Sequence, residues 1–411
     1  MKRVLSLLFA ALLLGACASK YDGDLAAPDA AKGGESGYDI AGGEGGDIGG
    51  SEGNGQTHAG KVTAGEWRDL DNWAFWSNLM TNHQADQEGA DFTSYSAYWG
   101  LYTNNRVAVR VTDANGIPQR DVPVILNRHS SPDAAPVVLY QGRTDNRGEV
   151  NLWIGLTQLE QNVDAAALGL MVNGGAELSP VAVTHWGDSV VWNECTASVT
   201  PTTNIDIAFI VDATGSMSDE INFLKADLES IINTVGTRHS DAAIRTAALF
   251  YRDEGDQYLT RVNNFNSNIS ATVSFISQQT ADGGGDYPEA VHTALEKGLQ
   301  DLSWREDNSI RLAFMLLDAP PHKNDQVIAS LQQSIPQYAK RGIRIIPVAA
   351  SGVDKPTEFF LRFTALATDA TYVFLTNDSG IGGDHIVATV GDYKVELLNE
   401  LIIRLIDQYL Q

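Results

Sequence analysis

Three oxygen-bearing side chains follow an apolar run of the chain at every second position. The run is Ile205–Val211, and Asp212, Thr214 and Ser216 come directly after it. Because alternate positions of an extended segment point the same way, the carboxylate and the two hydroxyls can converge on one point. Hard oxygen donors of this kind suit Mg²⁺, Mn²⁺ or Ca²⁺. The spacing therefore predicts a divalent-cation site.

Two further loops carry carboxylates in comparable places. Asp286 follows three glycines and is the first residue of a predicted helix over 286–304. Asp318 follows the apolar run Ile310–Leu317. In a doubly wound sheet such loops lie together at the carboxyl ends of the strands. Asp212, Ser216 and Asp318 also suit helix capping. Capping does not require three acidic loops at once, so the pattern favours the cation site.

Polar residues near these loops are candidates for a rim or second shell. Asp253, Glu254 and Asp256 lie in the turn of a predicted β-hairpin, where they either shape partner selectivity, bind a second cation, or form a solvated turn. His322, four residues after Asp318, either hydrogen-bonds a metal ligand or packs at a helix start. Glu289 is interpreted as stabilising the start of the next helix through the helix dipole.

The hydrophobic pattern indicates which elements position these residues. Apolar strands alternate with amphipathic helices over residues 201–411, which predicts an α/β fold with a doubly wound, mostly parallel sheet. Within residues 61–200, the segment 106–200 alternates as antiparallel strands do and predicts a preceding all-β sandwich. The aromatic-rich segment Trp67–Trp99 is interpreted as a packing surface, with a carbohydrate-binding platform as the alternative.

Composition excludes several classes of function. The 411 residues contain 28 Lys and Arg against 52 Asp and Glu, for a formal charge of −24, so nucleic acid is not an expected partner. The two cysteines, Cys17 and Cys195, have no Cys/His cluster around them, which argues against a zinc site or a disulfide scaffold. Cys195 lies in a strand-like segment and is predicted to be a buried structural thiol.

The first residues have the layout of a secretory signal. Lys2 and Arg3 precede an apolar run that ends at Ala16, and Cys17 follows. The run into Cys17 resembles the bacterial lipobox, which implies removal of residues 1–16, lipidation of Cys17 and membrane attachment through that lipid alone. Residues 17–60 read as a lipidated, Gly-rich acidic linker. Ala18 after the cysteine resembles the sorting signal for the outer membrane. The sequence does not indicate whether the protein faces the periplasm or the cell surface.

Residues 203–411 resemble the von Willebrand factor type A domain and its metal-ion-dependent adhesion site. The segments FIVDATGSMSDEI, GGGDYPEAV and FMLLDAPPH stand where that family places its site loops. The resemblance implies a divalent cation, Mg²⁺ foremost, held by Asp212, Thr214, Ser216 and Asp318. Many members have a threonine in the middle loop, where this chain has Gly285 followed by Asp286, so the Asp286 carboxylate is the expected replacement.

The resemblance implies a binding function in which an acidic residue of a protein partner completes the coordination of the cation. The region 106–200 likewise resembles Ig-like, carboxypeptidase-regulatory-like sandwiches of bacterial surface proteins. We therefore expect an envelope-anchored adhesion or protein-binding lipoprotein that is not an enzyme. An adaptor subunit of an envelope complex is one alternative. A metal-dependent hydrolase is another, against which the sequence offers no HExxH, G-x-S-x-G or phosphate-binding loop.

Overall fold

The computed structural model describes residues 62–82, 91–131, 134–200, 202–379 and 384–411. The predicted signal, Cys17 and the glycine-rich linker lie outside these residues. No helix in the described ranges is both long enough and apolar enough to cross a membrane.

The N-terminal part of the described chain is rich in β-structure, as the alternating pattern predicts. Its elements in chain order are β1 (Thr63–Trp67), α1 (Trp73–Thr81), α2 (Phe92–Trp99), β2 (Asn105–Thr112), β3 (Pro123–Arg128), β4 (Val137–Arg143), β5 (Glu149–Trp153), β6 (Leu168–Val172), β7 (Glu177–Leu178), β8 (Thr184–His185) and β9 (Trp192–Thr196). Two four-stranded sheets result, one with β2 between β5 and both β8 and β9, the other in the order β4-β3-β6-β7.

The two sheets are in contact at Gly142 of β4, which has no side chain. A Cβ at Gly142 of β4 would lie 2.7 Å from Cγ2 of Val150 on β5, so the glycine allows this close approach. Pairing is antiparallel except between β2 and β9, which run parallel. The expected antiparallel pairing does not hold for that pair, because alternation sets which residues face inward but not the direction of the neighbouring strand. Cys195 of β9 is buried, as expected.

The remaining elements build the α/β part. In chain order they are β10 (Asn204–Asp212), α3 (Ser218–Arg238), β11 (Ala243–Tyr251), β12 (Thr260–Asn266), α4 (Ile269–Ser277), α5 (Val291–Gln300), β13 (Ile310–Leu317), α6 (Asp325–Lys340), β14 (Ile343–Ala349), α7 (Lys355–Ala367), β15 (Tyr372–Leu375), β16 (Glu396–Leu397) and α8 (Leu398–Leu410). They form an eight-stranded sheet in the order β12-β11-β10-β13-β14-β15-β1-β16. Its central strands are parallel and buried, which agrees with the predicted doubly wound architecture.

Strand β1 belongs to this large sheet, although it comes from the segment predicted to precede the α/β domain. It pairs antiparallel with β15 and with β16. Its sequence, TAGEW, has no apolar run, so periodicity gave no signal for a strand. The aromatic segment behind it is core, since Trp76 stacks on Phe359 of α7 with ring centroids 5.8 Å apart. A cut at residue 201 therefore does not separate the sheet from what precedes it.

Candidate cation-binding site

The candidate site lies at the carboxyl ends of β10 and β13, which are adjacent and parallel. Their register pairs Val211 with Leu316, so Asp212 comes one residue and Asp318 two residues after this pair, at neighbouring strand ends. A 3-10 turn over Gly215–Met217 then leads into α3. The topology therefore brings together two of the three predicted loops, as expected for the edge of a doubly wound sheet.

Asp212 is held by its own turn on one side and left open on the other. Its Oδ1 accepts hydrogen bonds from the Thr214 amide at 2.9 Å and from the Thr214 hydroxyl at 2.7 Å. Its Oδ2 is buried and makes no hydrogen bond of normal geometry in the described structure, although the buried Tyr251 hydroxyl interacts with this carboxylate and opposes the rise in its pKa. Thr214 thus fixes the orientation of Asp212, while one carboxylate oxygen remains available to a ligand.

Asp318 presents a similar oxygen from the neighbouring strand. The residue is 6 % exposed, and its Oδ1 is buried with no hydrogen-bond partner in the part of the chain described. Burial raises the pKa of Asp318, whereas hydrogen bonding with the Ser216 hydroxyl opposes that rise. Ser216 itself is exposed.

The electrostatics of the two carboxylates fit a cation. Burial, followed by the charge of Asp318, raises the pKa of Asp212 to about 7. A buried carboxylate is costly unless a cation or hydrogen bonds compensate it. The free oxygens of Asp212 and Asp318, with the Ser216 hydroxyl beside them, form a hard donor set of the kind that divalent cations bind.

The third loop, residues 282–289, is tied to both of the others by backbone hydrogen bonds. The Asp282 amide donates to the Ala213 carbonyl at 3.1 Å, and the Gly283 carbonyl accepts from the Gly215 amide at 3.2 Å. The Glu289 amide donates to the Pro320 carbonyl at 2.9 Å. Helix α5 therefore begins at Val291 and not at 286, because the loop amides bond to neighbouring loops instead of to a helix.

Asp286 stands on the surface of this loop. It is exposed and lines an open cleft of about 540 Å³ together with Ser216, Glu289 and Asp318. The structure thus brings Asp286 to the mouth of the site, whereas the buried carboxylate of the same loop is that of Glu289.

Glu289 is the residue that the sequence reasoning misassigned. It is 3 % exposed, and its Oε2 is buried without a hydrogen-bond partner among the described residues. Burial, then the charges of Asp212 and Asp253, raise its pKa to about 9. It precedes the N-cap of α5, Ala290, so it lies outside the first helical turn. The available signal was an acidic residue placed just before the apolar pair Ala290-Val291.

Three of the four predicted rim residues, Asp253, Asp256 and His322, make hydrogen bonds that connect the loops. His322 Nε2 lies 2.6 Å from Asp253 Oδ1, so this histidine bonds to a rim aspartate and not to Asp318. Asp256 Oδ2 accepts from the Gly284 amide at 3.0 Å and from the Asp253 amide at 3.3 Å. Glu254 is exposed.

Arg252 is a second residue that the sequence reasoning missed. Its buried guanidinium donates from Nε to the Ala213 carbonyl at 3.0 Å and from Nη2 to the Thr280 carbonyl at 2.8 Å. It also lies over the Tyr258 ring, 4.5 Å from the centroid. Arg252 therefore connects the end of β11 to the first site loop and to the segment just before the third. An arginine in an acidic turn gave no signal for burial.

Carboxylates alone do not form a complete metal site here. Across the ranges that the structure describes, no group of three or more His, Cys, Asp or Glu side chains is arranged to hold a metal ion. The predicted set is of another kind, since it combines two carboxylates with hydroxyls. Cation binding by this set stays a prediction.

Comparison with known proteins agrees with this topology. Residues 206–350 match the family model described as the von Willebrand factor A domain. An alpha-protein kinase, vwkA, of Dictyostelium discoideum is 32 % identical over 143 residues, which are 34 % of this chain and 22 % of that protein. A putative ariadne-like RING finger protein, R811, of Acanthamoeba polyphaga mimivirus is 34 % identical over 118 residues, 29 % of this chain and 11 % of the relative.

The chain thus spans less than a quarter of the length of either relative. One relative is eukaryotic and the other viral, and neither is named as a lipoprotein or as a protein with an Ig-like module. The kinase and RING-finger names describe those proteins. What this chain shares with the family is the α/β part that carries the three loops: it contains a von Willebrand factor A domain at residues 206–350.

Proposed function

We propose that the A domain binds a divalent cation, with Mg²⁺ favoured over Mn²⁺ and Ca²⁺, and through it a protein partner that offers an aspartate or glutamate. One observation carries the proposal. Asp212 and Asp318 follow the ends of the adjacent strands β10 and β13, and each has a buried oxygen that lacks a hydrogen-bond partner in the described residues. Domains of this type commonly mediate protein–protein interaction, which accords with a site at an open cleft.

Each residue has a definite role in this proposal. Asp212 and Asp318 supply negative charge, Ser216 supplies a hydroxyl, and Thr214 orients Asp212 through its hydrogen bonds to Oδ1. Asp286 lies exposed at the cleft, where it contacts the approaching partner or solvent. The cation, when bound, neutralises the carboxylates and keeps one coordination position for an oxygen of the partner.

The cation also resolves an electrostatic problem. The chain carries a formal charge of −24, so an acidic partner is repelled in the absence of a bridging cation. We propose a non-enzymatic role because the donor set serves cation binding and the sequence offers no hydrolase motif. An adaptor subunit of a larger complex uses the same chemistry and is the second form of this proposal.

Calorimetric titration tests the cation site. The full chain, purified in detergent and stripped with EDTA, is titrated with MgCl₂, MnCl₂ and CaCl₂, alongside Asp212→Asn and Asp318→Asn. We expect both variants to lose at least about tenfold in affinity. Asp241→Asn is the matched control, because Asp241 is exposed beyond the opposite end of the sheet. Absence of binding by the unmodified chain at millimolar concentrations of all three salts contradicts the proposal.

Envelope anchoring is a separate part of the proposal and depends on residues 1–17 alone. We propose that Cys17 is lipidated in a bacterial host, outer-membrane attachment being favoured, with the β-rich region as an Ig-like spacer. Expression in a Gram-negative host with a clickable fatty acid is expected to label the chain. Cys17→Ser should abolish both the label and the membrane fraction. Equal labelling of the two chains contradicts lipidation at Cys17.

A further inference from the structure

Two exposed tyrosines lie at the same edge of the large sheet as the cleft. Tyr287 lines the cleft and is 42 % exposed, and its hydroxyl accepts a hydrogen bond from the Asp354 amide at 3.0 Å. Tyr98 of α2 is 40 % exposed. Its neighbour Trp99 donates from Nε1 to the Pro356 carbonyl at 3.0 Å, which fixes the end of α2 against the start of α7. The aromatic segment that precedes the β-rich region therefore supplies a side chain to this edge.

The two tyrosines lie near one carboxylate, that of Asp354. Burial, followed by the charge of Asp354, raises the pKa of both Tyr98 and Tyr287. Both phenols therefore keep their protons at neutral pH and present uncharged rings to the solvent. Asp354 is already engaged, since its Oδ1 accepts from the Thr357 amide at 2.9 Å as the N-cap of α7. The two rings thus belong to one surface next to the cleft.

A lysine without an acidic partner completes this surface. Lys323 lies in the loop between Asp318 and α6, and its Nζ is 3.4 Å from the centroid of the Tyr98 ring. It is exposed, and no carboxylate of the described residues lies within ion-pair distance of it. Lys355, by contrast, lies 3.2 Å from a carboxylate oxygen of α7. Stacking on the ring positions the ammonium group of Lys323 and leaves its hydrogen-bond donors free.

The charge of Lys323 is opposite to that of its surroundings. The chain has a formal charge of −24, and acidic residues line the adjoining cleft: Asp219, Glu220, Asp286, Glu289, Asp318 and Asp384. An uncompensated cation in such surroundings attracts a negatively charged group of a partner. Exposed tyrosine rings beside it are side chains of the type that protein interfaces use as anchors. Charge and residue type therefore fit an acidic protein segment.

We propose that Tyr98, Lys323 and Tyr287 form a second contact surface beside the cation site, which binds a partner segment carrying a further aspartate or glutamate. This inference rests on the proposed function, in which the first acidic residue of the partner binds the cation. Lys323 pairs with the second carboxylate, and the two rings pack against the same segment. The partner is therefore selected by two acidic residues, and α2 takes part in its recognition.

The test measures binding of two rhodamine-labelled, C-terminally amidated peptides to the full chain by fluorescence anisotropy in saturating MgCl₂. Hexaglutamate offers carboxylates over the roughly 20 Å that an extended hexapeptide spans, and Gly-Gly-Glu-Gly-Gly-Gly offers one carboxylate in a chain of the same length. The variants are Lys323→Gln and Tyr98→Leu. Lys340→Gln is the matched control, because Lys340 is exposed in the last turn of α6, at the other end of that helix from Lys323.

We expect Lys323→Gln to weaken hexaglutamate binding by about tenfold, because the pair with the second carboxylate is lost. Tyr98→Leu should weaken it by about threefold, because the lysine loses the ring that positions it. Binding of the peptide with a single glutamate should be unchanged in both variants, and Lys340→Gln should match the unmodified chain with both peptides. Both variants should melt like the unmodified chain, because the substituted side chains are exposed.

Three outcomes overturn the inference: an equal loss for the two peptides, an equal loss in Lys340→Gln and Lys323→Gln, or unchanged hexaglutamate binding in both variants. Measurements in EDTA separate it from the proposed function. If the unmodified chain binds hexaglutamate equally well in EDTA and in MgCl₂, or in neither, the proposed function fails together with this inference. If binding requires MgCl₂ and the variants match the unmodified chain, only the second contact surface fails.

Discussion

Strand β10 carries a fully buried aspartate near each end, and their surroundings are opposite. Asp206 Oδ2 lies 2.6 Å from Nη2 of Arg245, and its Oδ1 lies 2.6 Å from Nη1 of Arg305. Asp212, six residues later, has the Thr214 hydrogen bonds on Oδ1 and no hydrogen-bond partner for Oδ2 within the described chain. One strand therefore carries one buried carboxylate that is paired with arginines and one that has hydrogen bonds but no arginine partner.

Other buried aspartates of the molecule resemble Asp206. Asp121 Oδ1 lies 2.9 Å from Nη1 of Arg311, and Asp69 Oδ1 lies 2.6 Å from Nη2 of Arg362. Asp206, Asp121 and Asp69 are thus compensated by arginine, whereas the buried Asp369 accepts hydrogen bonds from the Asn151 amide groups instead. Asp212, Asp318 and Glu289 have no such arginine partner among the described residues, and under the proposed function a bound cation would supply the compensating charge.

The largest expected effect comes from making the same substitution at both ends of β10. In EDTA, Asp206→Asn should lower the free energy of unfolding by roughly 3 kcal/mol, because two arginines lose their buried partner. Asp212→Asn should raise it by about 1 kcal/mol, because a buried charge disappears while the shape is kept. Urea denaturation monitored by tryptophan fluorescence measures both. Destabilisation of similar size by the two variants would remove the contrast on which the site assignment rests.

The pH dependence of the chelated protein should be the next largest effect. The folded-state pKa values of Asp212 and Glu289 are raised to about 7 and about 9, above the usual values of these groups. The folded protein therefore binds more protons than the unfolded chain, and its stability falls as the pH rises through these values. Between about pH 7.5 and about pH 9.5 we expect a loss of about 1 to 2 kcal/mol.

Thermal unfolding at several pH values measures this loss. The double variant Asp212→Asn, Glu289→Gln should show little of it, and saturating MgCl₂ should reduce it in the unmodified chain. A stability that is flat or rises over this range would argue that the two carboxyl groups are compensated in the folded protein.

The smallest effect is expected at the residue that connects the loops. Arg252→Lys keeps the positive charge but cannot donate to the Ala213 and Thr280 carbonyl groups with the same geometry. We expect roughly fivefold weaker cation binding, equivalent to about 1 kcal/mol. Lys340→Arg, on the last turn of α6, is the control for exchange between the two basic residues. Unchanged binding by Arg252→Lys would show that the loops keep their positions without this guanidinium.

Periodicity predicted most of the α/β part because its strands are buried on both faces. The apolar run Ile310–Leu317, for example, is strand β13 with the same bounds. Periodicity does not predict β1, because its five residues form a strand only by pairing with β15 and β16. The start of α5 was misplaced for a related reason, since hydrogen bonds to other loops compete with the first helical turn.

The sequence by itself determined the chemistry at the carboxyl edge: Asp212, Thr214 and Ser216 follow a buried strand, and Asp318 follows the next strand of the sheet. Residue type and the position of a strand end are local properties, so they can be read without coordinates. Only the tertiary structure decided which carboxylate of the third loop is buried. Glu289 rather than Asp286 turns inward because Gly284 leaves room for it and the Pro320 carbonyl holds its amide, and both contacts depend on loops distant in the chain.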